Sequence, residues 1–197
     1  MIWFLSDTHF FHKRIREFCP SRPDDWAART VRAWRELVDE EDYLVHLGDV
    51  FFSGKARAAL LFQRLPGRKI LVRGNHDSGT ERYYELGFER ILSGREWTLL
   101  EDPCVGNIAV VCVVNDQDFV HTKDNDGVVY VSHRPVADEP TTRDPWGPYL
   151  YGHTHDTFGL DPYQPYPWGR NVCIELTRFS PISLVEILED EKEGMCL

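Results

Sequence analysis

Three short, mostly apolar runs, each followed by polar residues, set the strongest limit on how this chain can fold. The runs are IWFL, YLVHL and KILVR, and patterns typical of helices separate them. Continuous apolar runs of this length are typical of buried strands, although periodicity alone does not exclude buried helix. They cover residues 2–5, 43–47 and 69–73. The residues that follow them are Ser6 to His9, Gly48 and Asp49, and Gly74 to Asp77.

The segments between these runs predict helices. Apolar residues at Ala27, Val31, Trp34 and Val38 form one stripe of a helix that begins after Asp24 or Asp25. Residues 55–65 predict a second helix, which Pro66 and Gly67 end. Alternating strands and helices predict two βαβ units and a parallel sheet, whose ligand sites gather at the carboxyl ends of the strands.

The second half of the chain has little helical pattern. Its strand-like runs alternate with turn-rich segments, which predicts a mainly antiparallel or mixed second sheet packed on the first. The predicted strands are residues 107–115, 128–133, 149–153, 171–176 and 182–188. The segments 134–148 and 159–170 are predicted to be long surface loops. Neither a fixed-period repeat nor a linker divides the chain, so we expect one domain over residues 1–197.

Composition limits the environment and the partners of the chain. With 197 residues and 42% hydrophobic content, it can build a sizeable core. No apolar run approaches the about 20 residues that span a bilayer, and the first residues lack a signal-peptide pattern, so we expect a cytoplasmic protein without membrane contact. The five cysteines are expected to be reduced and structural. A net charge of −10 disfavours long nucleic acid as a partner.

The ends of the predicted strands carry side chains that are typical metal ligands. Five imidazoles, two carboxylates and one amide form this set, and such groups suit divalent ions. It consists of Asp7, His9, Asp49, Asn75, His76, His133, His153 and His155. In extended chain, residues i and i+2 point the same way, so both members of the D-x-H and H-x-H pairs could face one ion. Two ions that share a bridging carboxylate would use the whole set.

The order of these blocks resembles the calcineurin-like metallophosphoesterase family. The blocks are SDTH (6–9), LGDV (47–50), RGNHD (73–77), SHRP (132–135) and GHTH (152–155). Each is a weak signal alone, but five in order form a specific one. The opening DTHFFHKRI further resembles a small bacterial and phage branch of predicted phosphoesterases. The resemblance implies an α/β fold in which a two-sheet β-sandwich is flanked by helices in αββα layers.

The resemblance also implies a role for each site residue. Asp7, His9 and His155 would bind one metal ion, and Asn75, His133 and His153 the other. Asp49 would bridge the two ions. His76 would face the phosphate and the leaving group without binding metal, and Asp77 would orient its imidazole.

The implied activity is metal-dependent hydrolysis of a phosphate ester. A metal-bridging hydroxide would attack phosphorus, and His76 would assist the departing oxygen. Manganese is the first expectation for the two divalent ions, with Fe, Zn, Ni and Co as alternatives. A small phosphodiester or a nucleotide is the favoured substrate. The alternatives are a non-catalytic metal-binding scaffold and a nuclease, and the oligomeric state is left open.

Other residues have two possible roles. Arg73 and Arg134 flank ligands and could bind phosphate, or they could form ion pairs. His12 could contact substrate or cap a turn, and His46 is expected to be a buried, hydrogen-bonded histidine. The loop aromatics could stack on a nucleobase or only pack the loops, with packing favoured. These aromatics are Trp146, Tyr149, Tyr163, Tyr166 and Trp168.

Overall fold

Two five-stranded sheets packed face to face form the centre of the molecule. The structure is a computed structural model, and it describes residues 1–115, 118, 127–136 and 147–194. The strands are β1 (Ile2–Leu5), β2 (Tyr43–His46), β3 (Arg68–Val72), β4 (Phe88–Leu92), β5 (Trp97–Asp102), β6 (Gly106–Cys112), β7 (Gly127–Val131), β8 (Tyr149–Tyr151), β9 (Arg170–Asn171) and β10 (Ile182–Ser183). The helices are α1 (Ile15–Phe18), α2 (Trp26–Leu37), α3 (Lys55–Phe62), α4 (Glu81–Glu85) and α5 (Leu184–Gly194). The predicted α/β sandwich flanked by helices is confirmed.

The first sheet has the parallel core that the sequence predicts. Its strand order is β10-β1-β2-β3-β4. Strands β1 to β4 run parallel, and β10 pairs antiparallel with β1. Helices α2 and α3 confirm the two predicted helices, although α3 ends at Phe62 rather than at residue 65. Strand β4 and helix α4 are additional elements that the sequence analysis did not predict.

The second sheet is mixed, as expected. Its order is β5-β6-β7-β8-β9, with β5 antiparallel to β6 and the other neighbours parallel. Strand β5 was not predicted. The predicted strand at 171–176 was too long, because only Asn171 belongs to β9 and the chain then turns. A single bridge between Ser6 and Cys173 links this turn to the first sheet.

Alternation along the strands assigns side chains to separate layers. From β1, Ile2 and Phe4 pack in the core between the sheets, whereas Trp3 and Leu5 pack against the helices. The core between the sheets also contains Val45, Ile70, Val110, Val129 and Leu150. The helix-side core is built around buried aromatic rings, including Trp26, Trp34 and Phe62. The first sheet is therefore buried on both faces, which is why its strands are continuously apolar.

Aromatic residues cover the outer face of the second sheet. Tyr130, Tyr149 and Tyr151 are buried there, and Tyr166 and Trp168 pack against them. The phenol of Tyr163 lies beside Arg170. Loop packing, the favoured interpretation, therefore accounts for these side chains, and Trp146 lies outside the described residues.

The predicted strand at 182–188 is wrong after its second residue. Ile182 and Ser183 form β10, and helix α5 begins at Leu184. Ser183 and Glu186 form a capping box: the Glu186 carboxylate accepts the Ser183 N–H at 2.9 Å, and Ser183 Oγ accepts the Glu186 N–H at 3.2 Å. Leu184 and Ile187 then turn into the core between the sheets. The S-x-x-E signal and this three-residue spacing were available in the sequence.

In the part of the chain that the structure describes, no helix is both long and apolar enough to span a membrane. The assignment of residues 1–197 to one domain stays a prediction.

Replacing Glu186 by Ala tests the capping box. We expect the free energy of unfolding to fall by about 1 kcal/mol, because loss of the carboxylate leaves the Ser183 N–H without its acceptor. Urea unfolding measures the change, with Glu189→Ala in the same helix as the exposed control. Equal losses in the two variants would contradict the assignment.

Candidate metal centre

The five polar blocks meet at one edge of the two sheets. Each block directly follows one of the parallel strands β1, β2, β3, β7 and β8, as the sequence predicts. Among the described residues, three groups of three side chains have ligand atoms within 4.8 Å of one another, and two of these groups consist of residues from the polar blocks. One group is Asp7, His9 and His155; the other is Asp49, His133 and His153.

The Asp49 carboxylate lies between the two groups. Its Oδ2 atom is 3.5 Å from His9 Nε2 in the first group and 3.5 Å from His133 Nε2 in the second. Asn75 Oδ1 is 2.9 Å from His133 Nε2, which adds the amide to the second group. The two groups therefore form one continuous cluster of potential ligands.

The H-x-H pair is divided between the two groups. His153 belongs to the group of Asp49 and His155 to the group of Asp7. The expectation from extended geometry, that both rings face one ion, is therefore wrong for this pair. The physical reason is the backbone, since His153 and His155 have φ values of 70° and 49° rather than extended ones.

Left-handed backbone conformation recurs at the candidate ligands. Asp7, His9 and Asp49 have φ values of 57°, 44° and 56°, in addition to the two histidines above. Non-glycine residues rarely adopt this region, which costs of order 1–3 kcal/mol for each residue. Such strain persists where surrounding structure enforces it, and it is concentrated at functional sites.

Two glycines allow the loops to approach the carboxylates. A Cβ on Gly74 would overlap the backbone nitrogen and side-chain oxygen of Asp49. A Cβ on Gly152 would overlap Ser6 Oγ and Asp7 Oδ2. Glycine at these two positions therefore permits a close approach of backbone to a carboxylate.

The two oxygens of Asp7 have different surroundings, and the difference fits a cation. Oδ2 accepts hydrogen bonds from Ser6 Oγ at 2.5 Å, the His153 N–H at 2.8 Å and Cys173 Sγ at 3.2 Å. Oδ1 is buried without a hydrogen-bond partner, and it is 3.6 Å from both His9 Nε2 and His155 Nε2. A buried carboxylate oxygen that faces two imidazole nitrogens suits a divalent ion.

His133 also presents an electron pair to the cluster. Its Nδ1 is 2.8 Å from the carbonyl oxygen of Leu47, so Nδ1 carries the proton and donates it. In the neutral ring, Nε2 then carries a lone pair, and this lone pair faces Asn75 Oδ1 and Asp49 Oδ2. Three acceptors that converge without a proton between them also suit a metal ion.

The Asp77 carboxylate positions the backbone of the ligand loops. It is buried and accepts the backbone N–H groups of Asp49 at 2.7 Å and Gly74 at 2.9 Å, and the Tyr83 hydroxyl at 2.6 Å. These bonds hold the two ligand-bearing loops together. Orientation of the His76 ring by Asp77 stays a prediction.

Arg22 and Glu175 are functional candidates that the sequence analysis missed. Both side chains are completely buried, and Arg22 Nε donates to Glu175 Oε1 at 2.6 Å. The same oxygen is 3.0 Å from His155 Nδ1, and Arg22 also donates to the carbonyls of Asp7 and Thr8. A carboxylate behind a ligating imidazole is a common way to orient it. Because its partners are separated by 153 positions in the sequence, this pair had no local signal.

The pKa shifts in the cluster have two causes, burial and the charges of neighbouring side chains. Burial alone would lower the pKa of His155, but Cys19, Glu175 and Asp7 outweigh it and raise the pKa to about 11. Burial would raise the pKa of Asp7, yet the surrounding histidines hold it well below its usual value. Burial lowers the pKa of His153 to about 4. A field that retains a proton on His155 would also attract a metal cation.

His46 is the buried, hydrogen-bonded histidine that we expected. The Gly48 N–H donates to its Nδ1 at 3.2 Å, so Nε2 carries the proton and donates to Thr8 Oγ1 at 2.9 Å. The Thr8 hydroxyl in turn donates to the Val50 carbonyl at 2.7 Å. This chain of bonds joins the loops that carry Asp7 and Asp49.

The remaining predicted site residues lie around the cluster. His76 is half exposed, and its Nε2 is 3.9 Å from Asp49 Oδ2. The ring of His12 lies 6.0 Å from that of His9, at the rim of the cluster. Its Nδ1 accepts the Arg14 N–H at 3.2 Å, so His12 also makes a hydrogen bond within its own turn. Arg73 and Arg134 line one cavity beside Asn75 and His133.

Comparison with known proteins identifies the family. The model of the calcineurin-like phosphoesterases matches residues 1–161, which include all five polar blocks. The chain belongs to this family. Its members are generally metal-dependent hydrolases of phosphate esters, so the family match and the ligand geometry agree on divalent metal as the cofactor class.

The similar relatives come from an archaeon, two phages and a bacterium. An uncharacterized protein of Methanocaldococcus jannaschii is 26% identical over 98% of this chain and 92% of its own length. The gene 66 protein of Mycobacterium phage D29 is 32% identical over 78% of each chain, and that of phage L5 is 29% identical. A crystal structure of a protein of unknown function from Aquifex aeolicus has a TM-score of 0.66 and 26% identity, covering 96% and 98% of the two chains.

Replacing Arg22 by Met tests its buried ion pair with Glu175. Glu175 would keep only His155 as a partner, and the carbonyls of Asp7 and Thr8 would lose their donor, so we expect the free energy of unfolding to fall by about 3 kcal/mol. The double variant Arg22→Met/Glu175→Leu should recover at least half of the loss. Urea unfolding measures all three proteins, and a double variant no more stable than the single one would contradict this account.

His46 predicts a pH dependence of stability. Burial lowers its pKa to about 4 in the folded protein, so the unfolded chain binds a proton first as the pH falls below about 6.5. The contribution of neutral His46 to the free energy of unfolding is complete above about pH 6.5. Roughly 3 kcal/mol of stability is lost as the pH falls to about 4. The free energies of unfolding of the parent and of His46→Gln should therefore converge as the pH is lowered from about 7 to about 4. Parallel pH profiles would contradict the assignment.

Proposed function

We propose that this chain binds two divalent metal ions and hydrolyses a phosphate ester. The observation that carries the proposal is the position of Asp49, whose Oδ2 atom is equally distant from a histidine of each ligand group. Pairs of metal ions about 3.5–4 Å apart commonly share such a carboxylate. Manganese is the first metal to test, with Fe, Zn, Ni and Co as alternatives.

Each ligand set has a defined place in this proposal. Asp7, His9 and His155 hold one ion, and Asn75, His133 and His153 hold the other, with Asp49 shared. When bound, the ions supply positive charge for the phosphate oxygens and acidify the attacking water. Glu175 orients the imidazole of His155, and Leu47 orients that of His133.

His76 acts on the leaving group in this proposal. Its backbone N–H donates to Asp49 Oδ1 at 2.9 Å, which fixes the residue beside the shared carboxylate. Its half-exposed ring belongs to neither ligand group, so it is accessible to a bound ester. The imidazole donates a proton or a hydrogen bond to the departing oxygen.

Two arginines extend the positive surface beside the second ligand group. Arg73 and Arg134 line a cavity of about 390 Å³ together with Asn75 and His133. Arg73 also donates to the Asp77 carbonyl at 3.2 Å, which ties its position to the ligand loop. Their guanidinium groups suit phosphate oxygens, and this placement supports the proposed substrate-binding role.

A small phosphodiester or a nucleotide is the substrate that we favour. A nuclease acting on long nucleic acid is the second candidate, but the net charge of −10 opposes backbone binding over many phosphates. A non-catalytic scaffold is disfavoured because the full ligand set converges and His76 remains accessible.

Hydrolysis of matched aryl phosphate monoesters and diesters tests the proposal. Chelator-stripped protein should be inactive and should regain turnover with manganese, because the ions supply the charge and the activated water. His76→Ala should retain the metals and lower kcat by about 10²–10⁴-fold, whereas Asp49→Asn should lose both metal and turnover. Released product and metal content are the two measurements.

An exposed carboxylate supplies the matched control. Asp24→Asn should match the parent in metal content and rate, since Asp24 belongs to neither ligand group. Parent rates in His76→Ala on every ester would overturn its role. Two bound ions without turnover on any ester would favour the scaffold.

A further inference from the structure

Aromatic and imidazole rings surround one side of the ligand cluster. The Phe52 ring lies 4.1 Å from that of His12 and 5.8 Å from that of His76, measured between centroids. The Phe18 ring lies 5.9 Å from that of His12. Phe52 is 53% exposed and Phe18 66% exposed. Large apolar side chains exposed together beside a site commonly mark a binding surface.

A cavity opens beside this group of rings. It has a volume of about 710 Å³ and lies between residues 11–13 and 53–57, with His12 as one of its walls. Pockets for small ligands typically measure about 300–1,000 Å³. His12 therefore connects the ring cluster, the cavity and, through His9 at 6.0 Å, the ligand cluster.

Both walls of the cavity are held in place. Phe10 and Phe51 form a β-bridge, and the Phe52 N–H donates to the Phe10 carbonyl at 3.0 Å. Ser53 Oγ donates to the carbonyl of Phe11, a residue with a left-handed φ of 64°. A strained residue in a pinned segment is typical of functional sites.

The charges of the cavity favour an anion. Lys13, Lys55 and Arg57 line it, and no carboxylate is among its described lining residues. Lys55 forms an ion pair with Glu85 at 2.6 Å, so Lys13 and Arg57 carry most of the excess charge. Such a lining is unusual in a chain of net charge −10. A ligand that matches rings and cations together is both planar and anionic.

We infer that the cavity and its rings bind a nucleotide with a phosphate group besides the one at the metal centre. The base stacks against Phe52, and the additional phosphate faces Lys13 and Arg57. The inference rests on the proposed function only for the place of the reacting phosphate. It assigns the base contact to Phe52 rather than to Tyr149, Tyr166 and Trp168, which pack on the outer face of the second sheet.

Binding of two analogues to the manganese-loaded protein tests the inference. Adenosine 5′-(α,β-methylene)diphosphate and the methyl monoester of methylenediphosphonate carry the same ionisable groups and differ only in the esterifying group, so the ratio of their Kd values isolates the base and sugar. At fixed free manganese, calorimetry should show the nucleotide binding about tenfold or more tightly, within the range of base stacking. Phe52→Ala should reduce this ratio to about threefold or less, and Phe52→Tyr should retain it.

Two further variants separate the contributions. Phe158→Ala removes an exposed ring outside the cluster and should leave the ratio unchanged. The double variant Lys13→Gln/Arg57→Gln should raise the Kd of the nucleotide about fivefold or more, and this effect should be smaller at high salt. A ratio near one in the parent, or the same ratio in Phe52→Ala, would overturn the inference.

Failure of the proposed function gives a different result. Binding requires no turnover, so a protein that hydrolyses no ester but shows the Phe52-dependent ratio would retain the nucleotide site and lose the hydrolase proposal. Turnover of simple esters together with a Kd ratio near one would retain the hydrolase proposal and overturn the nucleotide site.

Discussion

The structure depends on the burial of two carboxylates, Asp7 and Asp49, at the ends of neighbouring parallel strands. Buried charges are costly unless they are paired and hydrogen-bonded. The protein supplies donors to one oxygen of Asp7 and leaves the other facing two imidazoles. Much of the surrounding architecture compensates these charges or leaves room for a cation to do so. The arrangement of the cluster therefore suits a bound cation rather than close packing of side chains.

Compensation of these charges determines the loop geometry. Asp77 joins the loops after β2 and β3, and His46 joins those after β1 and β2. Arg22 links the first loop to Glu175 near the end of the chain. These buried bonds hold the ligands in left-handed backbone conformations that a free loop would abandon. Rigid support of this kind holds ligands in place before a metal or substrate arrives.

Much of the fold was predictable because its signals are local. Short apolar runs and a 3.6-residue stripe indicated the parallel sheet and helix α2, and the order of polar blocks indicated the site edge. The strand predicted at 182–188 was wrong because a short apolar run fits either element, and burial of Leu184 and Ile187 is compatible with helix. Strand β4 exposes the charged residues Glu89 and Arg90, whereas β5 exposes the apolar residues Trp97 and Leu99 and buries Asp102, so neither strand shows the usual alternation.

The sequence by itself determined which ligand types lie at the strand ends, because strand, turn and glycine signals are encoded within a few residues. The resemblance already divided these ligands between two ions, with His153 and His155 on different ones. Only the tertiary structure showed what supports them, because it directed the Asp77 carboxylate to backbone N–H groups and brought Glu175 behind His155. It also placed Phe52 beside the site, whereas Tyr149, Tyr166 and Trp168 pack on the outer face of the second sheet. These outcomes depend on contacts between distant segments, and such contacts follow from how two sheets pack rather than from local propensity.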